Sequence, residues 1–256
     1  MTAEPIFDLT GRTALVTGAA RGLGRAIALA LAHAGADVAL GLRRQDSAPD
    51  LITQIEQLGR RALAVQLDVS DLQQVAAGID EVATTFGHVD ILVNNAGIAP
   101  TNDAENVTVD DFDATLAVNL KGTFFASQYA SKHMFAQGFG RIVNVSSQAG
   151  LVALPGESIY CMTKAALIHL TKCLAVEWGT RGVTVNAIAP TFIETPGTQA
   201  ALSDPDFKAD VEERIAALHR IGQPIDAAGA VVFLVSPAAS LITGHTIVID
   251  GGWTAR

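Results

Sequence analysis

The sequence is poor in the features that several protein classes depend on. It has two cysteines, Cys161 and Cys173. If they share a helix they stand about 18 Å apart along its axis, beyond disulfide reach. Reduced thiols point to a cytoplasmic location. An excess of positive charge is also absent: 17 Lys and Arg stand against 26 Asp and Glu, a formal charge of −9. Such a field repels phosphate backbones and anionic lipids alike, so no nucleic acid and no membrane is expected as a partner. The longest uncharged tract, 227–244, is broken by Ser236, Pro237, Ser240 and Thr243. It reads as a buried helix and loop, because a bilayer span takes about 20 predominantly apolar residues. Residues 1–10 carry Glu4 and Asp8 and lack the basic start and apolar stretch of a secretory signal. The six histidines show no paired spacing, and no Cys, His and carboxylate cluster suggests a metal site, so no metal is expected.

What is present is core-forming, with 49% apolar side chains and 17% charged. Short apolar runs at 13–17, 37–42, 62–66, 91–93, 141–145, 184–188 and 246–249 alternate with longer runs whose apolar residues recur every three or four positions. This is βαβ repetition. The strands are continuously apolar, as in Ile91-Leu92-Val93, which predicts an α/β fold: a doubly wound parallel sheet with helices on both faces. Gly35, Gly59 and Gly87 each follow a helical run, where a left-handed terminator is wanted. No linker divides the chain, so 1–256 is read as one domain. The stretch 190–206, with three prolines and Gly197, is the candidate lid.

The first strand runs into Thr17-Gly18-Ala19-Ala20-Arg21-Gly22-Leu23-Gly24 and then a helix. Glycines there permit a tight turn and let backbone N–H groups of Gly18, Arg21, Gly22, Leu23 and Gly24 approach a pyrophosphate at the helix N-terminus. The same glycines would also serve a simple turn with close helix packing. Asp68-Val69 closes the third strand and Asn94-Asn95-Ala96-Gly97 the fourth, at the carboxyl ends where open α/β sheets bind ligands. Asp68 could equally cap the following helix, as could Ser70 or Asp71. The second strand ends in Gly41-Leu42-Arg43-Arg44, with no carboxylate for an adenosine ribose diol. Arg43 would instead pair with a 2′-phosphate, which favours NADP(H), with NAD(H) the close alternative.

Tyr160 and Lys164 stand four residues apart on a predicted helix running to Trp178, and so share a face. A phenol near pKa 10 is a poor base at neutral pH unless a cation stabilises the phenolate, and Lys164 could supply that field. Ser147 follows the strand 141–145 and could donate to a substrate oxygen. Asn119 lies in a predicted helical run, 110–137, where an amide is only a moderate helix former and a polar role is expected. Taken singly, the Tyr and Lys pair could be surface residues and Ser146-Ser147 a turn.

Together these residues resemble the short-chain dehydrogenases/reductases, in their short single-domain branch. The resemblance runs from Gly18–Gly24 through Asp68, Asn94–Gly97, Asn119, Ser147 and Tyr160-x3-Lys164 to Asn186 and Asp250-Gly251-Gly252. It implies about seven strands, a homotetramer, and reversible hydride transfer between a nicotinamide and an alcohol carbon. By the same resemblance Tyr160 is the general acid and base, and Lys164 binds the nicotinamide ribose and lowers the Tyr160 pKa. Ser147 polarises the substrate oxygen, and Asn119 positions a water linking Lys164 to solvent. Asp68 and Val69 face the adenine. Asn95, Ala96, Gly97, Pro190, Ile193 and Thr195 face the rest of the cofactor, the last two at the carboxamide. Where the family commonly has Pro-Gly this chain has Pro190-Thr191, and a β-branched residue resists positive φ, so a different turn is expected there.

Several stretches are most similar to members that oxidise sugar acids, such as gluconate and deoxygluconate. Those relatives carry arginines soon after Asn-Asn-Ala-Gly, suited to a carboxylate. Ile98-Ala99-Pro100-Thr101-Asn102 has none, which leaves a sugar, a sugar acid or a polyol as the small-molecule alcohol or ketone substrate. Thr101, Ser147, Gln148, Glu157 and Tyr160 are the candidate substrate contacts. The alternatives are a 3-oxoacyl thioester reductase and, in another class, a non-catalytic nucleotide sensor. An intact Tyr, Lys, Ser and Asn set argues for the enzyme, since a sensor has no need of a tuned phenol.

Overall fold

The computed structural model describes residues 6–255; residues 1–5, with Glu4, and residue 256 lie outside the described residues. The strands are β1 (Thr13–Thr17), β2 (Asp37–Leu42), β3 (Ala62–Gln66), β4 (Ile91–Asn94), β5 (Gly140–Val145), β6 (Val183–Pro190) and β7 (Thr246–Ile249). Every expected strand is present, and β4, β5 and β6 extend one to three residues beyond their apolar runs. The helices are α1 (Gly22–His33), α2 (Pro49–Gln57), α3 (Leu72–Phe86), α4 (Val109–Leu116), α5 (Thr123–Gln137), α6 (Ser158–Trp178), α7 (Gln199–Leu202), α8 (Pro205–Arg214) and α9 (Pro224–Val235).

The seven strands form one parallel sheet in the order β3-β2-β1-β4-β5-β6-β7. The order reverses between β1 and β4, which opens a crevice at their carboxyl ends. Strand alternation divides the core. Ala14 and Val16 of β1 face α1 and α9, where Ile27, Leu31 and Val231 are buried, while Leu15 faces α3 and α5 with Val75, Ile79 and Met134. Each of the larger of these side chains stabilises the fold by roughly 1.5–3 kcal/mol. Gly35, Gly59 and Gly87 adopt the positive φ expected of them.

Two expectations are refined. The run 110–137 is helical throughout, as expected, but between α4 and α5 the residues Ala117–Gly122 form a π-helical turn. Periodicity does not reveal that turn, because the extra residue it inserts is read as a shift of the apolar stripe. The stretch 190–206 is less irregular than expected, since it begins with the end of β6, contains α7 and enters α8. Asp204 caps α8, accepting from the amides of Asp206 and Phe207. By length and composition one helical run, Ser158–Arg181, could cross a membrane. It contains α6, whose inner face is buried with Leu167, Thr171, Leu174 and Ala175 in the core.

Candidate active site

From β1 the chain turns through Gly18 (φ 66°) and Gly22 (φ 56°) into α1. A Cβ on Gly18 would stand 3.1 Å from Cα of Ala96, and one on Gly24 would meet the Gly18 carbonyl at 2.5 Å, so this turn closes only without side chains. Arg21 stands at the N-cap of α1 but its side chain forms no capping bond, which leaves the first-turn amides of Gly22, Leu23 and Gly24 for an anion. A cleft of about 380 Å³ opens beside them, lined in part by Arg21, Gly22, Arg25, Glu194 and Pro196. Thr17 and Asn95 hold the turn in place. The amides of Asn95 and Ala96 donate to Oγ1 of Thr17 at 3.0 and 3.1 Å, and Nδ2 of Asn95 donates to the Thr17 carbonyl at 2.9 Å. The sequence reading missed Thr17, although a hydroxyl at a strand end directly before the glycines is the available signal.

Arg43 is exposed just past β2. Asp68, just past β3, accepts from the amide and hydroxyl of Ser70 with one oxygen, at 2.9 and 2.7 Å. The cap of α3 is Asp71, so Asp68 is not spent on the helix. Val69 is buried, and its carbonyl lies so near Gly122 that a Cβ there would come within 2.5 Å. A glycine turn with free amides, an acidic group at the third strand and a cation at the second fit a phosphorylated dinucleotide.

At the same sheet edge Ser147, Tyr160, Lys164 and Asn119 converge from three elements: the turn after β5, two successive turns of α6, and the π-helical turn. Ser147 Oγ is placed to donate to Oε1 of Gln148 at 2.8 Å or the Pro190 carbonyl at 3.4 Å, and accepts from the Ala149 amide. Lys164 is buried, donates to the Val145 carbonyl at 2.7 Å, and has its Nζ 5.4 Å from the centre of the Tyr160 ring. Asn119 accepts from the Ile98 amide and donates to its carbonyl and to Thr163 Oγ1. Gly97 completes the group, since a Cβ there would lie 3.4 Å from Asn119 Oδ1 and 3.6 Å from Lys164 Nζ.

Electrostatics depart from the expected pattern. Burial pushes the Tyr160 phenol up to about 12; the Ser147 hydroxyl opposes this by hydrogen bonding, and the nearby charge of Glu157 adds to it. Burial pulls Lys164 down to about 8. The Lys164 ammonium donates to the Val145 carbonyl beside the ring, and the Ser147 hydroxyl is the hydrogen-bonding neighbour that lowers the phenol.

On the substrate side, Gln148 is buried and holds Ser147, while Thr101 is exposed. The Asn102 amide donates to the Gly156 carbonyl at 2.9 Å, tying the Thr101 loop to the one that carries Glu157. Burial pushes the Glu157 carboxyl up. Past β6 the Thr191 amide pairs with the Ile249 carbonyl, and His219 is the one non-glycine of positive φ among the described residues, so Thr191 stays out of the left-handed region. Ile193 is buried and bridges Gly222, and Thr195 packs on the glycine turn, where a Cβ on Gly22 would meet its Cβ at 3.3 Å.

Comparison with known proteins agrees with this geometry. A family model described as enoyl-(acyl carrier protein) reductase matches residues 18–254. The chain is 43% identical over 252 residues to the D-threitol dehydrogenase of Mycolicibacterium smegmatis, covering 98% of this chain and 95% of that one. It is 43% identical over 242 residues to a 3-oxoacyl-[acyl-carrier-protein] reductase of Staphylococcus aureus, covering 94% and 97%. The crystal structure of a gluconate 5-dehydrogenase from Burkholderia cenocepacia in complex with NADP and tartrate superposes with a TM-score of 0.94 at 37% identity, covering 98% of both chains. With its glycine turn, its seven-stranded sheet and its Asn, Ser, Tyr and Lys set in these positions, the chain belongs to the short-chain dehydrogenase/reductase family.

Proposed function

We propose that this protein is an NAD(P)-dependent oxidoreductase that interconverts a secondary alcohol and its ketone on a sugar, a sugar acid or a polyol. The observation that carries the reading is the joint approach of buried Ser147 and Lys164 to the half-buried Tyr160 at the carboxyl edge of β5. NADP(H) is the favoured cofactor, with NAD(H) second, a reading supported by the exposed Arg43 just past β2, suited to a 2′-phosphate, and by the lack of a carboxylate in Gly41-Leu42-Arg43-Arg44. The bound nicotinamide supplies or accepts the hydride.

The chain's own groups handle the proton and the orientation. The Gly22, Leu23 and Gly24 amides would hold the pyrophosphate, Asp68 would meet the adenine with Val69 also lining the cofactor, and Pro190, Ile193 and Thr195 would meet the nicotinamide end. Ser147 donates to the substrate oxygen and so stabilises developing alkoxide charge. Tyr160 gives a proton to that oxygen in reduction and removes it in oxidation. Its phenol must come down from about 12 for the oxidative direction, and Lys164, with its Nζ 5.4 Å from the ring centre, is the cation beside it that would favour the phenolate. Asn119, gripping Ile98, holds the water path to Lys164. The stretch 190–206 acts as the lid, and Thr195 on Gly22 is the contact that supports this role.

A homotetramer in the cytoplasm completes the reading. Exposed Val109, Phe112 and Val176 on α4 and α6, and Ile225 and Leu241 around α9, give two apolar faces suited to self-association. A second reading, 3-oxoacyl thioester reduction, is supported by the identity to the Staphylococcus aureus enzyme. Absorbance of the reduced nicotinamide, followed with NADP and NAD against sugars, sugar acids, polyols and β-ketothioesters, tests both. Turnover of the carbohydrates with NADP is expected. Turnover of thioesters alone would reverse the ranking, and nucleotide binding without any turnover would indicate a sensor.

A further inference from the structure

The substrate mouth is bordered by the three segments that follow β4, β5 and β6, namely residues 94–113, 146–157 and 190–207. Not one Lys, Arg or His occurs in them, whereas they carry five, one and three carboxylates respectively; the cations that follow on α8, Lys208 and Arg214, are paired with Glu212 and Asp210. The cation inside the site, Lys164, is buried and committed to the Val145 carbonyl. Some of the bordering acids are occupied. Asp111 accepts from Thr108 Oγ1, Asp204 caps α8, and Glu194 accepts from Gln223 Nε2 at 2.7 Å.

Glu157 differs from these. It is half-buried on the turn that begins α6, one helical turn before Tyr160, and its side chain forms no capping bond. Among the described residues it has neither a hydrogen-bond donor nor an ion-pair partner. Its charge is nevertheless felt at the Tyr160 phenol. A partly desolvated carboxylate whose lone pairs no protein group uses, and whose oxygens are still open to solvent, is free to accept hydrogen bonds from a ligand. Hydroxyl groups are donors that can do so, while a substrate carboxylate brought to the same place would meet like charge with no cation to offset it.

Resting on the oxidoreductase reading above, we infer that the substrate is an uncharged polyhydroxy compound. Glu157 is the specificity-determining residue: its carboxylate accepts a hydrogen bond from a hydroxyl neighbouring the reacting carbon, and the cation-free mouth disfavours sugar acids and other anionic substrates.

The test compares wild type with Glu157→Gln and Glu157→Asp on D-threitol, xylitol and gluconate. It adds a calorimetric titration of D-threitol into the NADP complex and uses NADP affinity as the control for folding. Wild type is expected to use the polyols at least about 100-fold better than gluconate in kcat/KM. Glu157→Gln should raise both the polyol KM and the calorimetric Kd about 10-fold with kcat within about 3-fold, and Glu157→Asp should recover part of the loss. Gluconate used as well as threitol by wild type, or unchanged KM and Kd in Glu157→Gln, would overturn the inference while leaving the oxidoreductase reading intact. Absence of turnover on every alcohol and ketone would overturn both.

Discussion

Asn119 grips the backbone of Ile98 at both ends of its amide, accepting from the Ile98 N–H at 2.9 Å and donating to its carbonyl at 2.8 Å. The π-helical turn makes this possible by bringing a buried amide to the loop after β4, beside Thr163. Asn119→Leu leaves the N–H and carbonyl of Ile98 without partners, each costing about 1–3 kcal/mol where water cannot replace the bond, while the Thr163 hydroxyl keeps its bond to the Tyr160 carbonyl. Urea unfolding should show a loss of about 2–4 kcal/mol, and activity should fall even at temperatures where the variant remains folded.

Tyr160→Phe removes the proton carrier while keeping the ring that fills the site. We expect kcat to fall about 100-fold or more with NADP affinity close to normal. Single-turnover kinetics and fluorescence titration of the cofactor separate the two quantities. Normal turnover in this variant would take Tyr160 out of the mechanism.

Lys164 is pulled down to about 8 by burial, below the value near 10.4 of an unfolded chain. The cost of burying its charge is therefore fully present below pH 8. It is relieved as pH rises from about 8 toward 10, where the unfolded chain still binds the proton and the folded chain does not. Lys164→Met has no such term. Between pH 7 and pH 9.5 the stability of wild type relative to Lys164→Met should improve by more than about 1 kcal/mol, measured by urea unfolding at each pH.

The sheet was legible because buried parallel strands are written as short apolar runs, and β1, β2, β3 and β7 coincide with theirs. Glycine spacing revealed the phosphate turn for a steric reason, namely that Gly18 and Gly24 have no room for a Cβ. What the sequence did not disclose depends on which way a side chain turns. Nothing in Asn119 or its neighbours marks a π-helical insertion, and Lys164 at i+4 from Tyr160 fixes a shared face without fixing whether the ammonium serves the phenol or the Val145 carbonyl. Thr17 and the bracing role of Asn95 were similarly hidden, because bracing a loop and touching its ligand call for the same polar residues.

Arg43 provides a test of cofactor choice that leaves the reacting groups alone. It is exposed at the end of β2 and its side chain has no partner among the described residues, whereas the neighbouring Arg44 lies 3.9 Å from Asp46. A free guanidinium at this place can form charge-assisted bonds to a 2′-phosphate and gains nothing from a ribose diol. Arg43→Ala should raise the Kd for NADP about 10-fold and leave that for NAD within about 2-fold. Because the lost interaction is between exposed charges, added salt should weaken NADP binding more in wild type than in the variant. Equal responses of the two nucleotides to the substitution, measured by calorimetry at low and high salt, would move the 2′-phosphate contact to another residue.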